Sequence, residues 1–260
     1  MDATGLRSAL TAIAGRAAAP AATTWEDLSG SPVTEAVADA PLLPEPARRY
    51  LDHAIGSRLP AARAAVLEME GQIRIGRWLP FRAVQLHAPP HGYVWAARSG
   101  WGPFFVSGYD SIAHGLGEMR WALAGRIPLV KATGRDVSRS AAGRVALDAI
   151  FTPFAFRFAM WHATGSKEAV IASWLVAGER EAVELRVDER GRPTQVTMQR
   201  WGNPLGQPYS RYPCGGLIVE EATFGGVTIP SEVRAGWFFG TDRWERGEFF
   251  RAHITKAVWL

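Results

Sequence analysis

Residues 66–76 read VLEMEGQIRIG, and the alternation in this stretch decides how the chain folds. Leu67 and Met69 have one parity, while Glu68 and Glu70 have the other. A period of two places successive side chains on opposite faces of an extended strand. The stretch therefore predicts a β-strand with one apolar and one polar face.

Strand-like segments continue on both sides of a single interruption in the middle of the chain. They are rich in β-branched and aromatic residues, and Gly, Pro, Asp or His-Gly sequences separate them. The predicted segments are 77–88, 92–98, 117–125, 127–134, 158–164, 168–178, 181–188, 193–202, 216–224, 227–240 and 248–260. Together with the first stretch they make about a dozen strands in meander order.

Helices are predicted at the start and in the middle of the chain. Residues 4–18 have apolar side chains at helical spacing and are followed by the loop-like PAATT, and LPEPARRYLDHAIG (43–56) has proline in its first turn and a terminal glycine. The mid-chain segment DVSRSAAGRVALDAIF (136–151) begins at a capping residue and ends before Pro153. These features predict two N-terminal helices and one helix between the strand groups.

The order of elements favours an α+β fold that is mainly antiparallel β. Strands and helices do not alternate as they do in parallel α/β sheets. A long antiparallel sheet of this many strands must curl, and the mid-chain helix is predicted to lie in or over its mouth. Residues 1–43 are predicted to be an N-terminal arm, and residues 44–260 one curled-sheet domain.

Composition excludes several function classes. The 29 basic residues are dispersed among 25 acidic residues, for a net charge of +4, and form no basic stripe of the kind that binds nucleic acid. The single cysteine, Cys214, excludes an internal disulfide. No apolar run reaches the length of a membrane span, and the N-terminus lacks the features of a signal peptide. We expect a cytoplasmic protein without stable membrane insertion.

Several motifs resemble those of a known family. LPEPARRYL, GQIRIG, WLPFRA, GYVWAAR, the mid-chain helix and a GTDRW turn occur in an order that resembles a bacterial domain of unknown function over residues 44–258. That family is similar in layout to the LolA/LppX lipoprotein carriers, whose incomplete β-barrel holds acyl chains under a helical lid. The resemblance implies a cavity for an apolar ligand. An export role does not carry over, because the N-terminus has no lipid-attachment cysteine.

Motifs for metals and common cofactors are missing from the sequence. The six histidines include no HExxH, and a zinc site at His87 and His91 would need a third ligand from elsewhere. Neither GxGxxG after a strand nor GxxxxGK[ST] occurs, and there is no GxSxG nucleophile elbow. We therefore predict no metal and no cofactor.

Carboxylates provide the candidate catalytic residues. Glu70 lies in the polar row of the first strand, which either faces solvent or lines a ligand cavity. Asp242 and Glu248 lie in GWFFGTDRWERGEFFR (236–251), which is either a capped turn or the rim of a site. Asp110 and His114 could form a base and its orienting partner, but their loop-like context favours a structural role. Glu70, Asp242 and Glu248 are the predicted catalytic residues.

Aromatic side chains provide the candidate ligand contacts, because indole N–H groups need partners when they are buried. The predicted ligand-binding residues are Tyr93, Trp95, Trp121, Phe151, Trp161, Trp201 and Trp237. The favoured function is a cofactor-independent enzyme that cyclises, isomerises or hydrates a polyketide- or isoprenoid-like apolar molecule. A carrier or sensor of a lipid-like ligand is the alternative, and an interaction module that docks through residues 1–24 and the helix at 44–55 is a third.

Overall fold

One antiparallel sheet of thirteen strands forms the body of the protein. The computed structural model describes residues 8, 12–13, 18–29, 43–56 and 62–260. The strands, in chain order, are β1 Ala65–Ile75, β2 Arg77–Ala88, β3 Gly92–Trp101, β4 Phe104–Ala113, β5 Leu116–Leu123, β6 Ile127–Thr133, β7 Met160–Ala163, β8 Ala169–Val176, β9 Glu179–Val187, β10 Pro193–Gly202, β11 Ser210–Phe224, β12 Val227–Trp237 and β13 Glu248–Trp259. The predicted α+β class, mainly antiparallel, is confirmed.

The opening stretch lies at the centre of this sheet. β1 pairs with β2 on one side and with β13, the last strand of the chain, on the other. The spatial order β6-β5-β4-β3-β2-β1-β13-β12-β11-β10-β9-β8-β7 therefore consists of two meanders joined at β1 and β13. Each neighbouring pair follows in sequence except this central one.

The described helices of eight or more residues are α1 Ala18–Ser29, α2 Glu45–Ile55 and α3 Arg135–Leu147, and the short α4 spans Trp244–Gly247. α3 contacts β3 to β6 in one half of the sheet and β8 to β10 in the other. A single helix can reach both halves only because the sheet curls around it, so α3 lies on the concave face. None of the described helices is long and apolar enough to cross a membrane.

The N-terminal segment differs from the sequence expectation. PAATT was predicted to be a loop, but it lies inside α1, with Pro20 in the first turn, where proline is tolerated. Ala21, Trp25 and Leu28 follow helical spacing and pack on the convex side of β2 to β4. Tertiary burial of this stripe outweighs the loop-like composition. The helix predicted at 4–18 lies mostly outside the described residues.

A second difference concerns β4, where the sequence predicted no strand and a loop-like context for Asp110. Phe104–Ala113 pairs with β3 and β5 along its whole length. Its apolar alternation is hidden because Ser107, Asp110 and Ser111 occupy buried or half-buried positions. This strand carries Asp110 onto the concave face.

Close approach between the sheet and α3 requires a glycine at position 117. A Cβ there would lie 2.7 Å from Ser138 Cα and 2.9 Å from the Val137 carbonyl oxygen, both in the first turn of α3. The Gly117 amide also donates to Ser138 Oγ at 2.8 Å. The glycine therefore sets how closely the helix packs on β5.

We predict that Gly117→Ala lowers the free energy of unfolding by about 2–3 kcal/mol, because helix backbone must move to admit the methyl group. Denaturant unfolding measures this loss. The matched control is Gly226→Ala, whose Cβ meets no atom within 4 Å and whose positive φ of 86° alone adds strain, about 1 kcal/mol. A smaller loss at Gly117 than at Gly226 would contradict the packing argument.

Candidate functional site

A cavity of about 300 Å³ lies between the concave face of the sheet and α3. α3 contributes side chains at helical spacing, and the remaining walls come from β1, β3 to β5, β10 to β13 and the β10–β11 connection. The lining residues with apolar side chains include Ile73, Trp95, Met119, Val137, Ala141, Leu147, Ala235, Trp237, Phe249 and Phe250. Those with polar or ionisable groups include Tyr93, Asp110, Glu118, Ser140, Arg144, Asp148, Arg200, Asn203 and Tyr209.

Aromatic rings form one wall of the cavity. The Trp95 ring lies 6.2 Å from the Phe250 ring and 5.7 Å from the Trp121 ring, measured between centroids. Phe81 stacks on Phe250 at 5.1 Å from behind. Edge-to-face and offset contacts of this kind hold rings in fixed positions, so this wall is preformed.

A half-buried arginine lies on the cavity wall. Arg144 of α3 donates from Nε to Asp148 Oδ2 at 3.1 Å and from Nη2 to Gln85 Oε1 at 3.3 Å. Its Nη1 lies 3.5 Å from Asp110 Oδ2, the longest of these contacts. Gln85 in turn donates to Asp148 Oδ2 at 2.9 Å. We call Gln85, Asp110, Arg144 and Asp148 the Arg144 cluster.

The same guanidinium lies over two rings of the wall. Arg144 Cζ is 4.7 Å from the Tyr93 ring centroid and 4.9 Å from the Trp95 ring centroid. Burial acts to lower the pKa of Arg144, but Tyr93, Asp148 and Asp110 more than offset this effect and raise it. Arg144 therefore stays protonated at every physiological pH, and its charge is shared between the carboxyl groups of Asp110 and Asp148.

Asp110 has the electrostatics expected of an acid–base group. Burial raises the pKa of its carboxyl group, and Arg144, the indole N–H of Trp121 and Arg200 act in the opposite direction. Trp121 Nε1 donates to Asp110 Oδ1 at 2.7 Å, which fixes the orientation of the carboxyl group. The second oxygen, Oδ2, points to the long contact with Arg144.

The indole of Trp95 has a hydrogen-bond donor without an acceptor. Trp95 is 3% exposed, and its Nε1 has no partner within hydrogen-bonding distance. An unsatisfied buried donor costs about 1–3 kcal/mol, so native structures usually supply an acceptor. Trp95 lines the cavity beside Arg144, but its Nε1 is itself buried, so a ligand oxygen would reach this N–H only after a local rearrangement.

His87 supports the far end of α3 from β2. Its Nε2 lies 3.1 Å from the Val145 carbonyl oxygen and its Nδ1 lies 3.1 Å from Thr152 Oγ1. Burial lowers the pKa of His87 to about 4, although Asp148 and the Val145 carbonyl act to raise it. The ring is therefore neutral at pH 7, and it positions the helix rather than binding a ligand. In the part of the chain that the structure describes, no three side chains are grouped to hold a metal ion.

Some of the aromatic residues predicted to contact a ligand lie on this cavity. Tyr93, Trp95 and Trp237 line it, and Trp121 adjoins it through its bond to Asp110. Phe151 packs in the core below α3. Trp161 stacks on Phe156, and Trp201 donates to Asp136 at the start of α3.

The three predicted catalytic carboxylates lie away from the cavity lining. Glu70 is exposed and faces Arg82 at 3.5 Å, and Asp242 is exposed in the β12–β13 connection. Glu248 Oε1 accepts one hydrogen bond from Arg234 Nε and one from Arg251 Nε, each at 2.8 Å. The hydrogen bond from Arg234, followed by that from Arg251, lowers the pKa of Glu248 to about 2. This effect outweighs burial, which acts to raise the same pKa. Glu248 is therefore ion-paired to two arginines, one on β12 and one on β13.

Sequence reasoning missed the charged residues that face the cavity. Val137, Ala141, Arg144 and Asp148 follow one stripe of α3, so Arg144 interrupts a face that is otherwise mostly apolar. A charge at the centre of a core-facing stripe is the signal that could have identified it. Asp110 was considered only with His114, which the structure places on an exposed turn 3.6 Å from Asp27.

Solved structures with a related layout come from three bacteria. A LolA superfamily protein from Nitrosomonas europaea is 10% identical, with a TM-score of 0.40 over 82% of this chain and 93% of that chain. A DUF1329 family protein from Desulfovibrio piger ATCC 29098 is 11% identical, with a TM-score of 0.36 over 82% and 91%. A lipoprotein-sorting protein domain from Vibrio parahaemolyticus is 8% identical, with a TM-score of 0.38 over 85% and 93%. Likenesses at this level carry no argument about function.

Most of the chain matches a family model. Residues 32–249 match the model of a family of unknown function, DUF6544. This match confirms the resemblance to an uncharacterised family that the sequence motifs indicated. No curated protein matches the chain.

Proposed function

The chain belongs to DUF6544, a family of unknown function, and we propose its function from the geometry of its own cavity. The protein binds a bulky, mostly apolar small molecule that presents one hydrogen-bond-accepting oxygen to Arg144 and Trp95. The observation that carries this proposal is a half-buried arginine on the cavity wall, whose guanidinium lies 4.9 Å from the ring centroid of Trp95, together with the unpartnered N–H of that indole.

The apolar part of the ligand follows from the walls. A volume of about 300 Å³ falls at the lower end of the range for small-molecule sites, roughly 300–1,000 Å³. Rings and aliphatic side chains such as Trp95, Phe250 and Leu147 cover most of this surface. Burying apolar surface of the ligand here contributes about 25 cal/mol per Å².

The polar part of the ligand follows from the unused donors. Trp95 Nε1 has no acceptor, and the 3.5 Å separation of Arg144 Nη1 from Asp110 is long for a charge-assisted bond. A carbonyl or carboxylate oxygen between them would accept from both groups. An ammonium group would bind less well than such an oxygen, because it offers no acceptor to either donor.

Three probes of similar size test this preference for an acceptor. We expect methyl octyl ketone to bind about tenfold or more tightly than decane, because a hydrogen bond to a charged donor contributes about 1.5–3 kcal/mol. Decylammonium should bind more weakly than the ketone. Titration followed by tryptophan fluorescence measures all three, since Trp95 and Trp237 line the cavity.

The outcomes of this titration separate the parts of the proposal. Equal affinity for decane and the ketone would contradict the role of Arg144 and Trp95 as donors. No binding by any probe would contradict the cavity as a ligand site.

Catalysis is a second candidate function, and Asp110 is the observation that favours it. This buried carboxyl lies on the cavity wall with a raised pKa and next to a fixed positive charge. We propose that it moves a proton on the bound molecule without a cofactor, as in isomerisation, hydration or cyclisation of a polyketide- or isoprenoid-like compound. Solvent-deuterium uptake into bound methyl octyl ketone tests it. A carrier that binds without reaction would use the same cavity and show no uptake.

A further inference from the structure

Three hairpin tips form a continuous surface at one end of the sheet. The β1–β2, β3–β4 and β5–β6 turns all lie at the same end, because successive strands of the meander are antiparallel. Arg77 of the first tip lies over the Trp101 ring of the second at 5.5 Å. The Ala124 amide of the third tip donates to the Phe105 carbonyl of the second at 2.8 Å. We call residues 74–78, 98–105 and 123–131 the tip surface.

Exposed apolar side chains concentrate on this surface. Seven of the thirteen large apolar side chains that are exposed in the described residues belong to it, namely Ile75, Trp101, Phe104, Leu123, Ile127, Leu129 and Val130. Phe104, at the extreme of the β3–β4 tip, is 82% exposed. Apolar side chains clustered in this way mark an interaction surface, whereas single ones do not.

The charges of the tip surface have one sign. Its three segments read RIGRW, RSGWGPFF and LAGRIPLVK, which contain five cations and no acidic residue. Arg77, Arg98, Arg126 and Lys131 are exposed. The adjoining connection at 238–247 carries both signs, with Asp242 and Glu245 beside Arg243 and Arg246. The surface is therefore complementary to a negatively charged partner.

A second copy of the chain fits this surface poorly. Two tip surfaces brought together would place cations against cations, which is unfavourable. The outermost strand, β6, also contains Pro128 and Lys131, which are residues that protect a free sheet edge from pairing. These features disfavour strand addition between copies.

We infer that the tip surface docks the protein onto a lipid bilayer with anionic headgroups. Tryptophan and phenylalanine enter the boundary between headgroups and acyl chains, while arginine and lysine pair with the negative lipids. The inference itself rests on the tip surface alone and does not depend on what the cavity binds.

Flotation with vesicles tests this inference. Vesicles of phosphatidylcholine with about one third phosphatidylglycerol should bind the protein, pure phosphatidylcholine should bind it weakly, and salt should reduce binding to the anionic vesicles. The double variant Trp101→Ser/Phe104→Ser should weaken binding about tenfold or more. Arg77→Gln/Arg126→Gln should weaken it about twenty-five-fold, from roughly fivefold for each charge.

The matched control is Leu116→Ser, because Leu116 is 75% exposed at the opposite end of the sheet. This variant should bind vesicles within about twofold of the wild type, and all variants should keep their affinity for methyl octyl ketone. The inference is overturned if the wild type fails to float with anionic vesicles, or if Leu116→Ser weakens binding as much as the tip variants. Self-association that the tip variants abolish, without vesicle binding, would overturn it in favour of a contact between copies.

Discussion

Replacing Arg144 with methionine is expected to reduce the affinity for methyl octyl ketone by about ten- to a hundredfold, because the hydrogen bond to a charged donor is lost. The variant should also lose about 3–5 kcal/mol of unfolding free energy, as measured in denaturant. Asp110 and Asp148 would then lie side by side on the cavity wall without their shared cation. The long methionine side chain keeps most of the packing against Tyr93 and Trp95.

The stability loss of Arg144→Met has a defined pH dependence. Without the guanidinium, which opposes the effect of burial, the pKa of Asp110 rises further above its unfolded value. A group with a raised pKa loses stability as pH rises through that window, so the deficit is largest near neutral pH and narrows on acidification. A deficit that stays constant with pH would indicate lost packing instead of unpaired charge.

A triple variant separates stability from binding. Asp110→Asn/Arg144→Met/Asp148→Asn removes the charge imbalance and should recover much of the lost stability. It should not recover the affinity for the ketone, because the donor is still missing. If the triple variant regained full affinity, Arg144 would not be the group that holds the ligand oxygen.

Asp110→Asn is expected to slow deuterium uptake into methyl octyl ketone by about a hundredfold or more, the usual contribution of a general acid–base group. In the proposed step, the ionised Asp110 carboxylate removes a proton from the carbon next to the carbonyl. The electrons of that C–H bond form the enolate, whose oxygen is stabilised by Arg144. The carboxyl group exchanges its proton with solvent and returns a deuteron.

The rate of this exchange should rise with pH as Asp110 ionises. Since burial raises the pKa of Asp110, the rise should come at a higher pH than an exposed aspartate would give, and it should disappear in Asp110→Asn. Asp242→Asn is the matched control, because Asp242 is exposed in the β12–β13 connection. If the wild type binds the ketone but takes up no deuterium, this proton transfer is excluded and the carrier function is favoured.

The alternation of residues 66–76 and of the later segments was enough to predict the antiparallel sheet. Side-chain period is a local property that strand formation preserves. The long antiparallel run also predicted the curl, since a sheet of this size does not stay open and flat. α1 and β4 were missed because their burial depends on contacts with distant elements, which outweigh Pro, Thr, Ser and Asp in the local sequence.

The candidate site was predictable only in part. Tyr93 and Trp95 have one parity on one strand, so a cavity that includes one includes the other. The predicted carboxylates were chosen by charge density, and charge density is highest where side chains face water. Glu70 and Asp242 show this limit, because both are exposed, whereas Glu248 is buried and ion-paired to Arg234 and Arg251. The cavity-facing Asp110 and Arg144 lie far apart in sequence, and only the curl of the sheet brings them together.

A crystal structure of the protein with bound methyl octyl ketone tests the central claim most directly. The proposed function predicts the ketone in the cavity between α3 and the concave sheet, with its oxygen about 3 Å from Arg144 or from Trp95 Nε1 and its alkyl chain along Phe250 and Leu147. A ketone bound elsewhere, or one whose oxygen faces away from Arg144 and Trp95, would contradict it.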